Sequence, residues 1–225
     1  MTRTTNARIA GFTFLFYIAA GILSLILFGR AAGGEGMTET LASIAQHATY
    51  VRLTFVLALL QSLSALVLAV TLYAITRDED PDLALLGMAF RVAEGLVGLS
   101  IPTSLGLLWL ATATGADAPD TAAAHALGGF LLQVGTWKSL VSATFFAFGS
   151  TLFSWLLLRG RLIPIPLAWL GVVASVLLAV CLPLQVAGFL RGPVTSLMWL
   201  PMAAFEVPLA LWLLVKGVAM PARRQ

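Results

Sequence analysis

Six apolar runs, each about 20 residues or longer, follow one another along the chain and are separated by more polar segments. An α-helix rises about 1.5 Å per residue, so about 20 residues cross the roughly 30 Å hydrocarbon core of a bilayer. The sequence therefore predicts an all-α fold, a bundle of six transmembrane helices. The helices are expected at residues 9–28, 53–75, 83–110, 130–158, 166–187 and 197–218.

The composition agrees with a lipid environment. Apolar residues make up 60% of the 225 residues and charged residues only 10%, whereas a soluble domain carries about 25% charged residues. The lipid bilayer is thus the first expected partner, and the length indicates one membrane domain over residues 1–225. The net charge is +3, but the basic residues lie at the ends of apolar runs instead of forming a patch. We therefore expect no binding of nucleic acid.

The basic residues at the ends of the runs predict an orientation. One side of the membrane would carry Arg3, Arg8, Arg77, Arg159, Arg161, Lys216, Arg223 and Arg224. The other side would carry Arg30, Arg52 and Arg191. Because cytoplasmic segments are enriched in Lys and Arg, both termini are expected in the cytoplasm, which agrees with an even number of crossings.

The sequence also predicts local structure at three further places. Residues 29–52 should form a loop with a short surface helix near Leu41–Ala48, and the alternative is a mobile lid. Pro102 should kink the third helix and free a main-chain carbonyl. The loop at residues 112–127, which contains Asp117, should start a surface helix near Asp120 that breaks at Gly128–Gly129.

Four charged residues lie inside the apolar runs: Arg91 and Glu94 in the third, Lys138 in the fourth and Glu206 in the sixth. Counted at about 1.5 Å per residue from the predicted helix starts, all four lie about 12–16 Å inside the bilayer. Each would cost about 2.5–3.5 kcal/mol if it faced lipid. We therefore expect the four side chains to point inward and to meet one another or water.

The expected pairing joins Glu206 to Arg91 or Lys138 and leaves the remaining cation to Glu94. Tyr17 and Gln61 lie at similar depth and are predicted to join the polar centre, Gln61 as part of a polar stripe on the second helix. One hypothesis is that the cluster lines a wet cavity that binds an ion, a proton or a polar small molecule. The alternative is an ionic clasp that only fixes which helices are neighbours.

Signatures of enzyme chemistry are missing from the sequence. The two histidines, His47 and His125, are predicted in outer loops without the spacing of a zinc site, and there is no nucleophile elbow or phosphate-binding loop. No metal and no cofactor are expected, and paired histidines for haem are absent. The single cysteine, Cys181, is expected to be a helix-packing residue.

Several motifs resemble an uncharacterised bacterial membrane family, domain of unknown function 4386. They are Ala7-Arg8-Ile9-Ala10-Gly11, Ala89-Phe90-Arg91 with Glu94, residues 158–164, and Glu206 followed by residues 209–217. The resemblance spans nearly the whole chain and implies a multi-helix protein of the bacterial inner membrane. It implies no reaction, so no catalytic residue is carried over, and Lys138 has no counterpart in the family pattern.

The sequence therefore predicts a multi-pass membrane protein that binds or moves a small polar molecule or ion. The predicted ligand-binding residues are Arg91, Glu94, Lys138, Glu206, Gln61 and Tyr17. The alternative is a structural or regulatory membrane protein whose buried charges only fix helix packing. A membrane enzyme is a third hypothesis, and nothing in the sequence supports a homo-oligomer.

Overall fold

A computed structural model describes residues 2–115 and 118–219 of the chain. Within these two ranges the secondary structure consists of nine helices and no strand. Asp117, Arg223 and Arg224 lie outside the described residues. The helices are α1 Arg3–Ala31, α2 Met37–Gln46, α3 Ala48–Thr76, α4 Pro81–Leu99, α5 Thr103–Thr112, α6 Thr121–Arg159, α7 Ile165–Val186, α8 Val194–Leu197 and α9 Leu200–Val215.

Six segments are long and apolar enough to cross a membrane, which confirms the predicted six-helix, all-α fold. They are α1, α3, α4 with α5, α6, α7, and α8 with α9. Each span packs against the spans before and after it in the chain, and α9 also packs against α1. The six spans therefore form a closed ring in chain order.

The closing contact between α1 and α9 depends on Gly11. A Cβ atom at this position would lie 2.5 Å from the Ala210 carbonyl oxygen and 2.5 Å from the Leu214 nitrogen. Only glycine lets the two backbones approach this closely without a shift.

One end of the ring is held together by charged residues near the helix ends. Arg3 lies 3.9 Å from Glu79 in the α3–α4 turn, and Arg159 lies 3.1 Å from Asp80. We call this end the Arg3 end, and the opposite end, which carries α2, the α2 end. The start of α1, the α3–α4 turn and the end of α6 thus lie on the same side, as the predicted topology requires. The assignment of this side to the cytoplasm stays a prediction.

The segment between α1 and α3 contains the predicted short helix, α2. Its buried Ile44 packs with Ala31, Val51 and Leu107, so α2 covers the end of the bundle. Thr38 Oγ1 also lies 3.0 Å from His125 Nε2 on α6. The helix therefore packs against the first four spans, including the two that it connects.

The third span is interrupted, where the sequence predicts one helix over residues 83–110 with a kink. α4 ends at Leu99 and α5 begins at Thr103. Pro102 has no N–H, so it cannot continue the hydrogen-bond pattern of α4. The kink is in fact a break.

The fourth span is continuous where the sequence predicts a break. α6 begins at Thr121 and passes through Gly128 and Gly129, where a break was expected. Asp120 caps its first turn, accepting a hydrogen bond from the Ala123 N–H at 2.8 Å. A Cβ atom at Gly128 would lie 2.6 Å from Met37 Sδ, so this glycine accommodates α2 within a continuous helix.

Candidate functional site

Arg91 and Glu94 form a buried ion pair within α4. The Arg91 Nη1 atom lies 2.8 Å from Glu94 Oε2, and the two side chains are 1% and 3% exposed. Residues three apart on a helix share a face, so one turn of α4 supplies both charges. The pair is therefore neutral as a unit and belongs to a single helix.

Aromatic rings surround the Arg91 guanidinium. Its central carbon lies 5.0 Å from the ring centre of Phe146, 5.7 Å from that of Tyr17 and 5.9 Å from that of Phe14. The faces of aromatic rings attract cations, and this attraction is stronger away from water. Gly149 on α6 makes room for the side chain, because a Cβ atom there would lie 3.1 Å from Arg91 Cγ. The cation is thus enclosed by α1, α4 and α6.

Glu94 links three helices. The Tyr17 hydroxyl on α1 donates a hydrogen bond to Glu94 Oε1 at 2.7 Å. The Ser142 hydroxyl on α6 donates to the main-chain carbonyl of Glu94 at 3.0 Å. Both Glu94 carboxylate oxygens therefore have a neighbour, one the Tyr17 hydroxyl and the other Arg91.

Glu206 on α9 is buried without an ionic partner. Its side chain is 8% exposed, and its buried Oε1 atom has no hydrogen-bond partner among the described residues. No cation of the described ranges lies within 4.0 Å of it. The predicted pairing of Glu206 with Arg91 or Lys138 is therefore wrong. Arg91 takes the carboxylate one turn away on its own helix, because that contact requires no approach of a second backbone.

Lys138 lies away from the other charges, which corrects the depth expected from the sequence. It is about 31 Å from the Arg3 end of α6, whereas Arg91, Glu94 and Glu206 lie about 14–20 Å from the same end of their helices. The difference arises because α6 has 39 residues, more than a membrane core requires, so depths counted from its two ends do not agree. Lys138 Nζ donates a hydrogen bond of 2.9 Å to the Ile101 carbonyl, at the break between α4 and α5. The lysine thus binds a main-chain carbonyl at the break, whereas the carbonyl that a proline at position 102 leaves without its helical donor is that of Gly98, four residues earlier.

A cavity of about 770 Å³ runs through the interior of the ring toward the α2 end. Five of the six predicted site residues line it: Tyr17, Gln61, Glu94, Lys138 and Glu206. Arg91 lies behind this lining and reaches the cavity only through Glu94 and the rings around it. The structure therefore brings the predicted residues to one space, and their role as ligand-binding residues stays a prediction.

Two kinds of lining residue escaped the sequence analysis. Phe146 and Trp199 stack with ring centres 6.2 Å apart and contribute aromatic surface to the cavity. Hydroxyl groups contribute polar surface: Ser24, Ser62, Thr103, Ser104, Thr136, Ser139 and Ser142, beside Thr54, which belongs to the predicted polar stripe of the second helix. The polar spacing of Gly135, Ser139 and Ser142 along α6 is a signal that could have identified this face before the structure.

Metal binding finds no support in the part of the chain that the structure describes. No group of three or more His, Cys, Asp or Glu residues there is close enough to hold a metal ion. His47 Nδ1 lies 2.9 Å from the Ser43 carbonyl oxygen, and His125 faces Thr38. The histidines therefore make contacts at the α2 end, away from the buried charges.

Comparison with known proteins identifies a family. The family model described as "Domain of unknown function (DUF4386)" matches residues 9–217, which include all six spans except the first six residues of α1, and every residue of the cavity. No curated protein and no solved structure matches the chain.

Proposed function

The chain belongs to the DUF4386 family, and we propose that this multi-pass membrane protein binds a small polar molecule or ion in its central cavity. A cavity of about 770 Å³ lies within the usual range for small-molecule sites, about 300–1,000 Å³. Its walls are mostly apolar, with a few charged and hydroxyl groups. This is the composition of pockets that fix the orientation of a ligand through a small number of polar contacts.

The observation that carries the proposal is the carboxylate of Glu206. An ionised group buried without a partner is costly, because it has lost its contacts with water. Glu206 Oε1 has no hydrogen-bond partner among the described residues, and the residue lines the cavity. A ligand that bonds to this oxygen would supply the missing partner.

The alternative, a clasp that only fixes helix packing, explains less of the arrangement. An ionic clasp would pair opposite charges from different helices, whereas Arg91 and Glu94 lie on one helix, and Glu94 is joined to α1 by the neutral Tyr17 hydroxyl. Lys138 Nζ donates its hydrogen bond to the Ile101 main-chain carbonyl, so the contact between α6 and the third span does not use a carboxylate. Glu206 has no role in such a clasp, since no described cation pairs with it.

The break in the third span favours a protein that moves its ligand across the membrane over one that only binds it. In secondary transporters, broken helices place main-chain groups beside a substrate at the membrane midplane. Here the break between α4 and α5 brings Thr103 and Ser104 to the cavity wall. We propose a location in the bacterial inner membrane with both termini in the cytoplasm, on the basis of the family resemblance and the distribution of basic residues.

Thermal unfolding of the purified protein in detergent tests the binding proposal. The compounds to test are chlorides of sodium, potassium, magnesium and calcium, together with organic ammonium salts, amino acids, carboxylates and sugars. At least one should raise the Tm, since a ligand at 100 times its Kd stabilises a protein by about 2.7 kcal/mol. The increase should be lost in Glu206→Gln.

The matched control is Glu35→Gln, because Glu35 is exposed between α1 and α2 and does not line the cavity. This variant should keep every increase in Tm. The proposal is wrong if no compound raises the Tm of the wild-type protein, or if every increase persists in Glu206→Gln.

A further inference from the structure

We infer that the ligand is a small organic amine in its protonated, N–H-bearing form, bound by Glu206. This inference rests on the proposed function, since it assigns a chemical class to the ligand of the same cavity. Charge, hydrogen-bonding capacity and the shape of the lining each support it.

The charges at the Arg3-end half of the cavity leave one negative charge without compensation. Glu94 and Glu206 supply two carboxylates, and Arg91 supplies one cation, which lies against Glu94 at 2.8 Å. Glu206 has no cation of the described residues within 4.0 Å. A monovalent cation is therefore the ligand that neutralises this part of the interior.

Lys138 does not supply this charge, because it lies too far along the cavity. It is about 17 Å closer to the α2 end than Glu206, measured along the helix axes from the Arg3 end. Its ammonium group also bonds to the Ile101 carbonyl. A compact cation beside Glu206 would therefore lie outside contact distance of the lysine.

Two hydroxyl groups of the lining near the buried carboxylates have already donated their hydrogen atoms. The Tyr17 hydroxyl donates to Glu94 Oε1, and the Ser142 hydroxyl donates to the Glu94 main-chain carbonyl. A hydroxyl that has donated its only hydrogen keeps its lone pairs as acceptors. These two groups can therefore only accept hydrogen bonds from a ligand, which its N–H groups would supply.

A bare metal ion suits the same space less well than an organic cation. Calcium and magnesium require about six or more oxygen ligands around one point, and the described residues contain no cluster of three acidic or other metal-binding side chains. The cavity also offers apolar contact through the rings of Phe146 and Trp199. Such walls favour a ligand with an apolar body attached to its ammonium group.

Three probes of similar size separate charge from shape. They are 2-phenylethylammonium chloride, the neutral 2-phenylethanol and the anionic 3-phenylpropionate, each titrated calorimetrically into the full-length protein in detergent, with sodium and magnesium chloride in parallel. The ammonium compound should bind at least about tenfold tighter than the alcohol, because a hydrogen bond to a charged group contributes about 1.5–3 kcal/mol. The carboxylate and both metal salts should bind more weakly still.

Variants then assign this preference to Glu206. Glu206→Gln should remove the advantage of the ammonium compound over the alcohol, Glu206→Asp should retain it in part, and Glu35→Gln should leave it unchanged. Without ligand, Glu206→Gln should unfold at a higher temperature than the wild-type protein, since it no longer buries an unpartnered charge. If Glu206→Gln does not fold, the comparison of the three probes on the wild-type protein decides the question.

Failure of this inference differs from failure of the proposed function. Preferential binding of the alcohol, the carboxylate or a metal ion that disappears in Glu206→Gln would overturn the amine and leave the cavity as a binding site. Ammonium binding that is absent, or equal in Glu206→Gln and wild type, also overturns it. The binding proposal itself fails only by the thermal-unfolding criteria given above.

Discussion

The buried carboxylates Glu94 and Glu206 differ in what surrounds them, although they resemble each other in the sequence. Glu94 has Arg91 at 2.8 Å and the Tyr17 hydroxyl at 2.7 Å. Glu206 lines the cavity, and its buried Oε1 has no hydrogen-bond partner among the described residues. The first carboxylate is therefore paired with a cation within the fold, whereas no described cation pairs with the second.

The Arg91–Glu94 pair can be tested at the scale of single residues. Arg91→Gln should destabilise the protein by about 3–5 kcal/mol, because it leaves Glu94 buried without its cation. The double variant Arg91→Gln/Glu94→Gln should recover part of this loss, since it removes both charges. Thermal unfolding of the two single variants and the double variant in detergent measures the coupling. An additive double variant, as unstable as the sum of the single variants, would contradict the ion pair.

At the scale of the helices, two local features are decisive. One lets α1 and α9 close the ring, and the other breaks the third span at the cavity wall. Gly11 on α1 allows α9 to approach to backbone contact. Pro102 ends the regular hydrogen bonding of the third span, and Lys138 of α6 binds the Ile101 carbonyl at the break. Small residues thus bring helices together at one position, while a proline and a lysine shape the cavity wall at another.

Two glycines of α1 provide a matched test of the ring closure. Gly11→Ala should lower the Tm, because its Cβ atom would lie 2.5 Å from the Ala210 backbone and the helices would have to separate, at a cost of about 1–3 kcal/mol. Gly29→Ala places the same methyl group where no atom lies within 4 Å. It should leave the Tm unchanged or raise it slightly, since alanine favours the helix. Equal effects of the two substitutions would contradict the close α1–α9 contact.

At the scale of the whole molecule, the closed ring explains how so apolar a chain encloses a polar interior. Large apolar side chains remain exposed on every span, as a lipid-facing surface requires. Examples are Leu25, Val70, Leu96, Phe130, Val173 and Val215. The carboxylates of Glu94 and Glu206 and eight serine and threonine side chains instead line the cavity. The ring thus separates a surface that suits lipid from an interior that suits a polar ligand.

The ring is predicted to sit in the membrane with its Arg3 end in the cytoplasm and its α2 end on the opposite side. In a Cys181→Ala background, Glu35→Cys at the α2 end should react with a membrane-impermeant maleimide in intact cells. Asp78→Cys, at the Arg3 end, should react only after the cells are permeabilised, because the positive-inside rule places that end in the cytoplasm. The reverse labelling pattern would invert the orientation without changing the fold. Labelling of both sites in intact cells would contradict a single orientation.

The sequence by itself determined the six apolar spans and the family, and it showed that Arg91, Glu94 and Glu206 lie within those spans. These properties depend on the local length and polarity of each run, which can be read without knowing its neighbours. Its errors lay at Pro102, at Gly128–Gly129 and in the depth of Lys138, where contacts between helices overrode local preference. Only the tertiary structure decided that Arg91 belongs to Glu94 and that Glu206 faces an open cavity. Those partnerships depend on how far each helix is rotated and which helix lies beside it, and packing between distant parts of the chain sets both.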